Sequence, residues 1–219
     1  METTRVLIVE DEALFREMLS RTLAAEPGLE VVGVATEGKE AVRLAAELIP
    51  DAVIMDIALP GGMDGIDAAL QIKAQRKETG IVILSVHKDR RYVSSLPLSE
   101  SPGWAYLLKQ TVPDLSSVMR AIQGSVDGLV VLDPAVVETL QPRRGSAAAR
   151  LTPRHRQVLE LIAQGYNNTA IAQKLSLTEK SVETYINSIY QVLQIPGEEG
   201  VHARVKATLV YLEDSLGNA

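Results

Sequence analysis

RVLIVEDE, residues 5–12, sets a strand-forming apolar run directly before three carboxylates. The same grammar recurs as VVGVA (31–35), DAVIMD (51–56), GIVILS (80–85) and WAYLL (104–108). Each run is short, mostly rich in β-branched residues, and followed by polar or turn residues. That is the pattern of strands buried on both faces of a parallel sheet. Between the runs the period becomes helical. Residues 13–25 put Leu14, Met18, Leu19 and Leu23 on one face, and residues 38–48 do the same with Ala41, Val42, Ala45 and Leu48. Strands alternating with helices predict βαβ crossovers and an α/β fold: a five-stranded, doubly wound parallel sheet within residues 1–125.

After residue 125 the character changes. Residues 134–140 predict one short helix, and QPRRGSAAAR (141–150) has no apolar period, so 126–149 are expected to be a linker. From residue 150 onward no strand signal remains. Thr152-Pro153 predicts a cap followed by proline at the first helical position, and Gly165 predicts a stop. Asn168 is expected to cap a short helix carrying Ile171, Ala172 and Leu175. Thr178 is expected to cap the next, with Val182, Tyr185, Ile186, Ile189 and Leu193 inward. The tight Ser176-Leu177 connection makes this pair a helix-turn-helix. A last helix is expected over about residues 199–216, giving a small all-α domain over 150–219.

Composition narrows the function classes. With 46% apolar and 23% charged residues in 219, the chain is globular and long enough for two ordinary domains. It has 0 cysteines, which excludes a disulfide framework, a cysteine-ligated zinc site and a cysteine nucleophile. METTRVLIVEDE contains no export-signal pattern and every apolar run is too short for a bilayer, so a cytoplasmic protein with no membrane partner is expected. The net charge of -6 is uneven: residues 1–125 carry -5, the linker -1 and residues 150–219 zero. An acidic chain argues against wholesale nucleic-acid binding but leaves room for one binding domain.

In an open α/β sheet, ligands bind beyond the carboxyl ends of the strands. Glu10 and Asp11, with Glu12 next, follow the first strand; Asp56 ends the third, Ser85 the fourth, and Lys109 follows the fifth. Carboxylates brought together repel and stay ionised when a cation sits among them. Oxygen ligands with open positions suit Mg²⁺, which favours a phosphate partner. A lysine and a hydroxyl beside them can hold a phosphoryl group, so the fitting chemistry is phosphoryl transfer onto a carboxylate.

LIVEDE, AVIMDIALP, VILS and YLLK at these spacings resemble the flavodoxin-like receiver domain of bacterial two-component response regulators. LTPRHRQVLELIAQGYNNTAIAQKLSLTEKSVETYINSIYQVL (151–193) resembles the DNA-binding domain of the LuxR/NarL family. The resemblance implies that Asp56 is the phosphoacceptor, that Glu10 and Asp11 help it bind Mg²⁺ together with the Ala58 carbonyl, that Ser85 and Lys109 meet the phosphoryl group, and that Tyr106 is the switch aromatic. It implies a sensor histidine kinase as partner, double-stranded DNA as ligand and a homodimer on activation, with the last helix as the output dimer surface. It makes the helix beginning at Thr178 the recognition helix, with Lys180, Ser181, Glu183, Thr184 and Asn187 toward DNA and Lys174 and Thr178 toward phosphates. Glu12 reads as a solvated first-turn residue, Trp104 as packing, and His87 as a solvent-facing residue with no ligand role.

The sequence departs from the family pattern at several places. An extra glycine in 61–65 predicts a longer, more mobile loop, and Val86 stands where many relatives carry alanine, a bulk expected to obstruct access to the phosphoryl group. Pro97 and Pro102 predict a shortened fourth helix and a non-helical, mobile stretch over 96–103. His155 replaces the glutamate that would close a capping box, and Glu183 stands where relatives carry lysine or arginine. The expected activity is phosphorylation-dependent transcriptional regulation rather than enzymatic turnover. The rival is a phosphorylation-independent receiver acting as a protein-interaction module.

Overall fold

The computed structural model describes residues 3–86, 103–112, 114–195 and 201–216. The expectations for His87 and for Pro97, Pro102 and the stretch around them fall on 87–102, outside the described residues. The strands are β1 (Thr4–Val9), β2 (Leu29–Ala35), β3 (Ala52–Asp56), β4 (Gly80–Ser85), β5 (Trp104–Leu108) and β6 (Val130–Leu132). All pair in parallel in the order β2-β1-β3-β4-β5-β6. The order reverses between β1 and β3, which opens a crevice at their carboxyl ends.

The sheet has six strands where five were expected. Val130–Leu132 pairs with Trp104–Tyr106 along the otherwise open edge of β5. The four apolar residues after Gly128, three of which form the strand, are too few to show a period; the pairing comes from an unsatisfied sheet edge, a tertiary feature.

Alternation along each strand divides the core. Val6, Ile8, Ile54, Val82 and Leu107 pack with α1 (Ala13–Ala24) and α4 (Leu115–Val126). Leu7, Val9, Val53, Met55 and Ile83 pack with α2 (Gly38–Leu48) and α3 (Gly65–Gln75). On α1 the inward row is the half-buried Phe15 and the buried Leu19 and Leu23, at i, i+4 spacing, while Leu14 is 79% exposed and Met18 39%. The expected inward placement of Leu14 and Met18 is therefore corrected. The sheet accepts one i, i+4 ridge, and these two lie beside it at the rim.

The segment after α4 is ordered by its contacts. Asp133, fully buried, caps α5 (Pro134–Val137) by accepting from the Ala135 amide at 2.8 Å. Its other oxygen accepts from the Leu108 amide at 3.0 Å. Leu140 and Ala148 are buried, and Asp214 accepts from the Ala148 amide at 2.8 Å.

Beyond it lie α6 (Pro153–Ala163), α7 (Asn168–Leu175), α8 (Glu179–Val192) and α9 (Val201–Leu216). Thr152 caps α6 by accepting from the His155 amide. The cap of α7 is Asn167, whose side chain accepts from Ala170; Asn168, expected to be the cap, is the first helical residue. Both are asparagines, and the extended backbone at 167 decides between them. Ser176 takes a left-handed φ of 53° at the turn into α8. The two parts touch through β6 and α4. The guanidinium of Arg120 lies 4.1 Å from the centre of the Tyr166 ring and its Nε donates to the Gln164 carbonyl.

Candidate functional site

The crevice at the ends of β1 and β3 gathers the expected groups. Glu10 is fully buried, Asp56 is 4% exposed, Ser85 is buried at the end of β4, and Asp11 is exposed. Lys109, in the single turn after β5, reaches back across the crevice. Its Nζ donates to Glu10 Oε1 at 2.8 Å and to Asp56 Oδ2 at 2.9 Å. The other Asp56 oxygen faces the Ala58 amide at 3.4 Å. These residues are far apart in sequence, so the fold alone brings them together.

Charge decides what the crevice can hold. Glu10, Asp11 and Asp56 each offer an oxygen within 4.8 Å of the others. One ammonium against three carboxylates leaves the crevice anionic, and its donors are hard oxygens; a small divalent cation such as Mg²⁺ fits that set. Burial pushes the Glu10 carboxyl above its ordinary range; the hydrogen bond from Lys109 opposes this and the charge of Asp56 adds to it. Burial alone draws the Lys109 ammonium down, but its hydrogen bonds to Glu10 and Asp56 prevail and hold it above the ordinary lysine value.

Two residues of α1 that the sequence reading passed over belong to this site. Arg16 donates to the carbonyl oxygens of Glu10 at 2.8 Å and Asp11 at 3.0 Å, holding the loop that carries both acids. Phe15, the single phenylalanine of the chain, lies against the Lys109 ammonium, 5.0 Å from ring centre to Nζ. The signal for both was their place in the first turn of a helix that starts at the crevice. Asp133 is a third residue that the sequence reading passed over: its carboxylate accepts from the Leu108 amide, next to Lys109.

Other expected residues fall as follows. The Tyr106 ring is buried and Trp104 packs in the same core. Glu12 is exposed at the start of α1 and makes no side-chain capping bond. Val86 is 70% exposed beside Ser85, so its bulk points to solvent. The glycine-rich loop is tied down at its end: the Gly65 amide donates to the Ile57 carbonyl, and a Cβ at Gly65 would lie 1.8 Å from the Asp56 carbonyl oxygen. Only glycine fits there.

In the helical part, Lys174, Thr178, Lys180, Glu183, Thr184 and Asn187 are exposed and Ser181 half-buried. Val182, Ile186 and Ile189 hold the opposite face of α8 in the core. Lys174 lies over the Tyr166 ring, 4.6 Å from its centre. The His155 ring meets Tyr185 of α8 edge-on at 5.7 Å. No helix among the described residues is long and apolar enough to cross a membrane.

Comparison with known proteins agrees with this division. Residues 6–115 match the response regulator receiver domain, and residues 149–208 match the bacterial regulatory proteins of the luxR family. The transcriptional regulatory protein LiaR of Bacillus subtilis (strain 168) is 34% identical over 199 residues, spanning 87% of this chain and 91% of LiaR. The crystal structure of a LuxR-family two-component response regulator from Aurantimonas sp. SI85-9A1 superposes with a TM-score of 0.50 at 30% identity, over 56% of this chain and 87% of that one. The RcsB response regulator of Salmonella typhimurium, at 24% identity and a TM-score of 0.51, shares the fold over 94% of this chain and 97% of its own.

Proposed function

The chain belongs to the two-component response regulators of the LuxR family, a receiver followed by a helix-turn-helix output domain, and on that premise we propose that Asp56 is its phosphoacceptor and that phosphorylation governs DNA binding by residues 150–219. The observation that carries the proposal is the bridge from Lys109 to both Glu10 and Asp56 at the strand ends.

The chain's residues divide the work. The Asp56 carboxylate attacks the phosphorus of a phosphohistidine on a sensor kinase, forming an acyl phosphate as the imidazole leaves. Glu10, Asp11 and Asp56 would hold Mg²⁺, which when bound neutralises charge on the transferring phosphoryl group. Lys109 stands where its ammonium can pair with a phosphoryl oxygen, and Ser85 ends the adjacent strand β4. Asp133, bonded to Leu108 beside Lys109, ties the end of β5 to the segment leading to the output domain. In this reading residues 1–125 are the receiver, 126–149 connect, and the output domain binds double-stranded DNA as a homodimer through α9. The protein works in the cytoplasm.

The test is phosphotransfer from a small phosphodonor with and without Mg²⁺. One acid-stable, alkali-labile phosphate per chain is expected in the wild type and none in Asp56→Asn. Undiminished labelling of Asp56→Asn places the acceptor elsewhere. No labelling of the wild type by phosphodonor or kinase favours the phosphorylation-independent interaction module.

A further inference from the structure

The exposed face of α8 has an uneven supply of free polar groups. Thr178 Oγ1 accepts from the Ser181 amide and shares a hydrogen bond with the Ser181 hydroxyl. Glu179 accepts from the Thr169 hydroxyl at 3.0 Å, tying α8 to α7. Thr184 donates to the Lys180 carbonyl at 2.9 Å. These groups are occupied within the domain. Among the described residues, no hydrogen bond or ion pair engages the side chains of Lys180, Glu183 and Asn187, and all three are exposed. At about 100° per residue they share a sector roughly 60° wide. At about 1.5 Å rise per residue they span about 10 Å, or roughly three base pairs.

A recognition helix reads bases with its N-terminal residues in the major groove. The three side chains differ in what they can read. A lysine donates to guanine O6 and N7, and an asparagine matches adenine N6 and N7. A glutamate only accepts, and the base edge it suits is the cytosine amino group. The carboxylate is also repelled by phosphates, and a domain of zero net charge supplies no surplus cation to cancel that. An acid in this sector is therefore compatible with binding when it is aimed at the groove floor.

Resting on the DNA-binding reading above, we infer that Lys180, Glu183 and Asn187 are the base-reading set of this protein and that Glu183 specifies a cytosine in each half-site. Guanine and adenine within the same three base pairs are the partners of Lys180 and Asn187.

The experiment is selection from a randomised duplex pool by the full-length protein, phosphorylated with a small phosphodonor and Mg²⁺, in parallel with Glu183→Gln. The wild type is expected to enrich cytosine at one position per half-site. Glu183→Gln should change that position to adenine, which the amide matches, leave the other positions alone, and bind the wild-type site about tenfold more weakly. Because Glu183 is exposed, the variant should keep the wild-type melting temperature, which shows that a changed motif is not misfolding. If Glu183→Gln selects the wild-type motif with its cytosines intact, Glu183 does not read DNA and the inference fails while the DNA-binding reading stands. If the phosphorylated wild type selects no motif, the DNA-binding reading itself fails and the inference falls with it.

Discussion

The strand-end crevice and the outer face of α8 both carry charged residues, but they are wired in opposite ways. In the crevice Lys109 is bonded to two carboxylates, Arg16 holds the carbonyls behind them, and Gly65 leaves no room for a side chain. On α8 the side chains of Lys180, Glu183 and Asn187 are exposed and make no hydrogen bond or ion pair among the described residues. In the proposed reading the first site is organised before its reaction begins, and the second is completed by the partner. Substitutions in the crevice should therefore disturb folding or metal binding, whereas substitutions on α8 should change recognition alone.

The largest effect expected is at Gly65. A methyl group there meets the Asp56 carbonyl oxygen, so Gly65→Ala should cost about 3 kcal/mol in chemical denaturation and slow phosphorylation of Asp56. Wild-type stability in this variant would mean that the loop yields and that the crevice is less organised than its hydrogen bonds indicate.

Arg16→Ala comes next. Among the described residues the guanidinium donates its hydrogen bonds to backbone carbonyls of the acidic pair, so its removal should loosen Glu10 and Asp11 without deleting a ligand. Mg²⁺ affinity by calorimetry is expected to fall about tenfold, the effect of losing a group that orients ligands. Unchanged affinity would show that β1 and α1 hold the acidic pair by themselves.

Burial of charge separates the regions again. Lys73 of α3 is 4% exposed, and burial draws its ammonium down to about 8, with Glu78 working against the shift. Between pH 8 and the ordinary lysine value near 10.5, the unfolded chain then holds a proton that the folded chain has released. Stability contributed by this group is lowest below pH 8 and rises with pH through that window, by at most about 1.4 kcal/mol per pH unit. Comparing denaturation of the wild type with that of Lys73→Met should show this rise only in the wild type.

The smallest effect on folding is expected at Glu183. Glu183→Lys should leave stability within about 0.5 kcal/mol, as surface substitutions do. It should steepen the salt dependence of binding to random DNA by roughly one unit per chain if the new ammonium reaches a phosphate. A large loss of stability would remove the contrast between the two regions by showing that Glu183 belongs to the structure of the domain.

What the sequence determined by itself is local or periodic. Five strands, the helices after the first two of them, and the helix-turn-helix could all be read, because apolar runs and helical spacing are short-range signals and strand ends have a known side in a doubly wound sheet. Glu10, Asp11, Asp56 and Lys109 could be placed for that reason. Tertiary structure alone decided which face of α1 turned inward, since one ridge of side chains fits the sheet and Leu14 and Met18 lie off it. It also decided that Val130–Leu132 would close the edge of β5, where pairing depends on a partner distant in sequence. Arg16, Phe15 and Asp133 joined the crevice in the same way. Their roles rest on distances across the fold, to the carbonyls of Glu10 and Asp11, the ammonium of Lys109 and the amide of Leu108, and no local pattern in the chain encodes a distance of that kind.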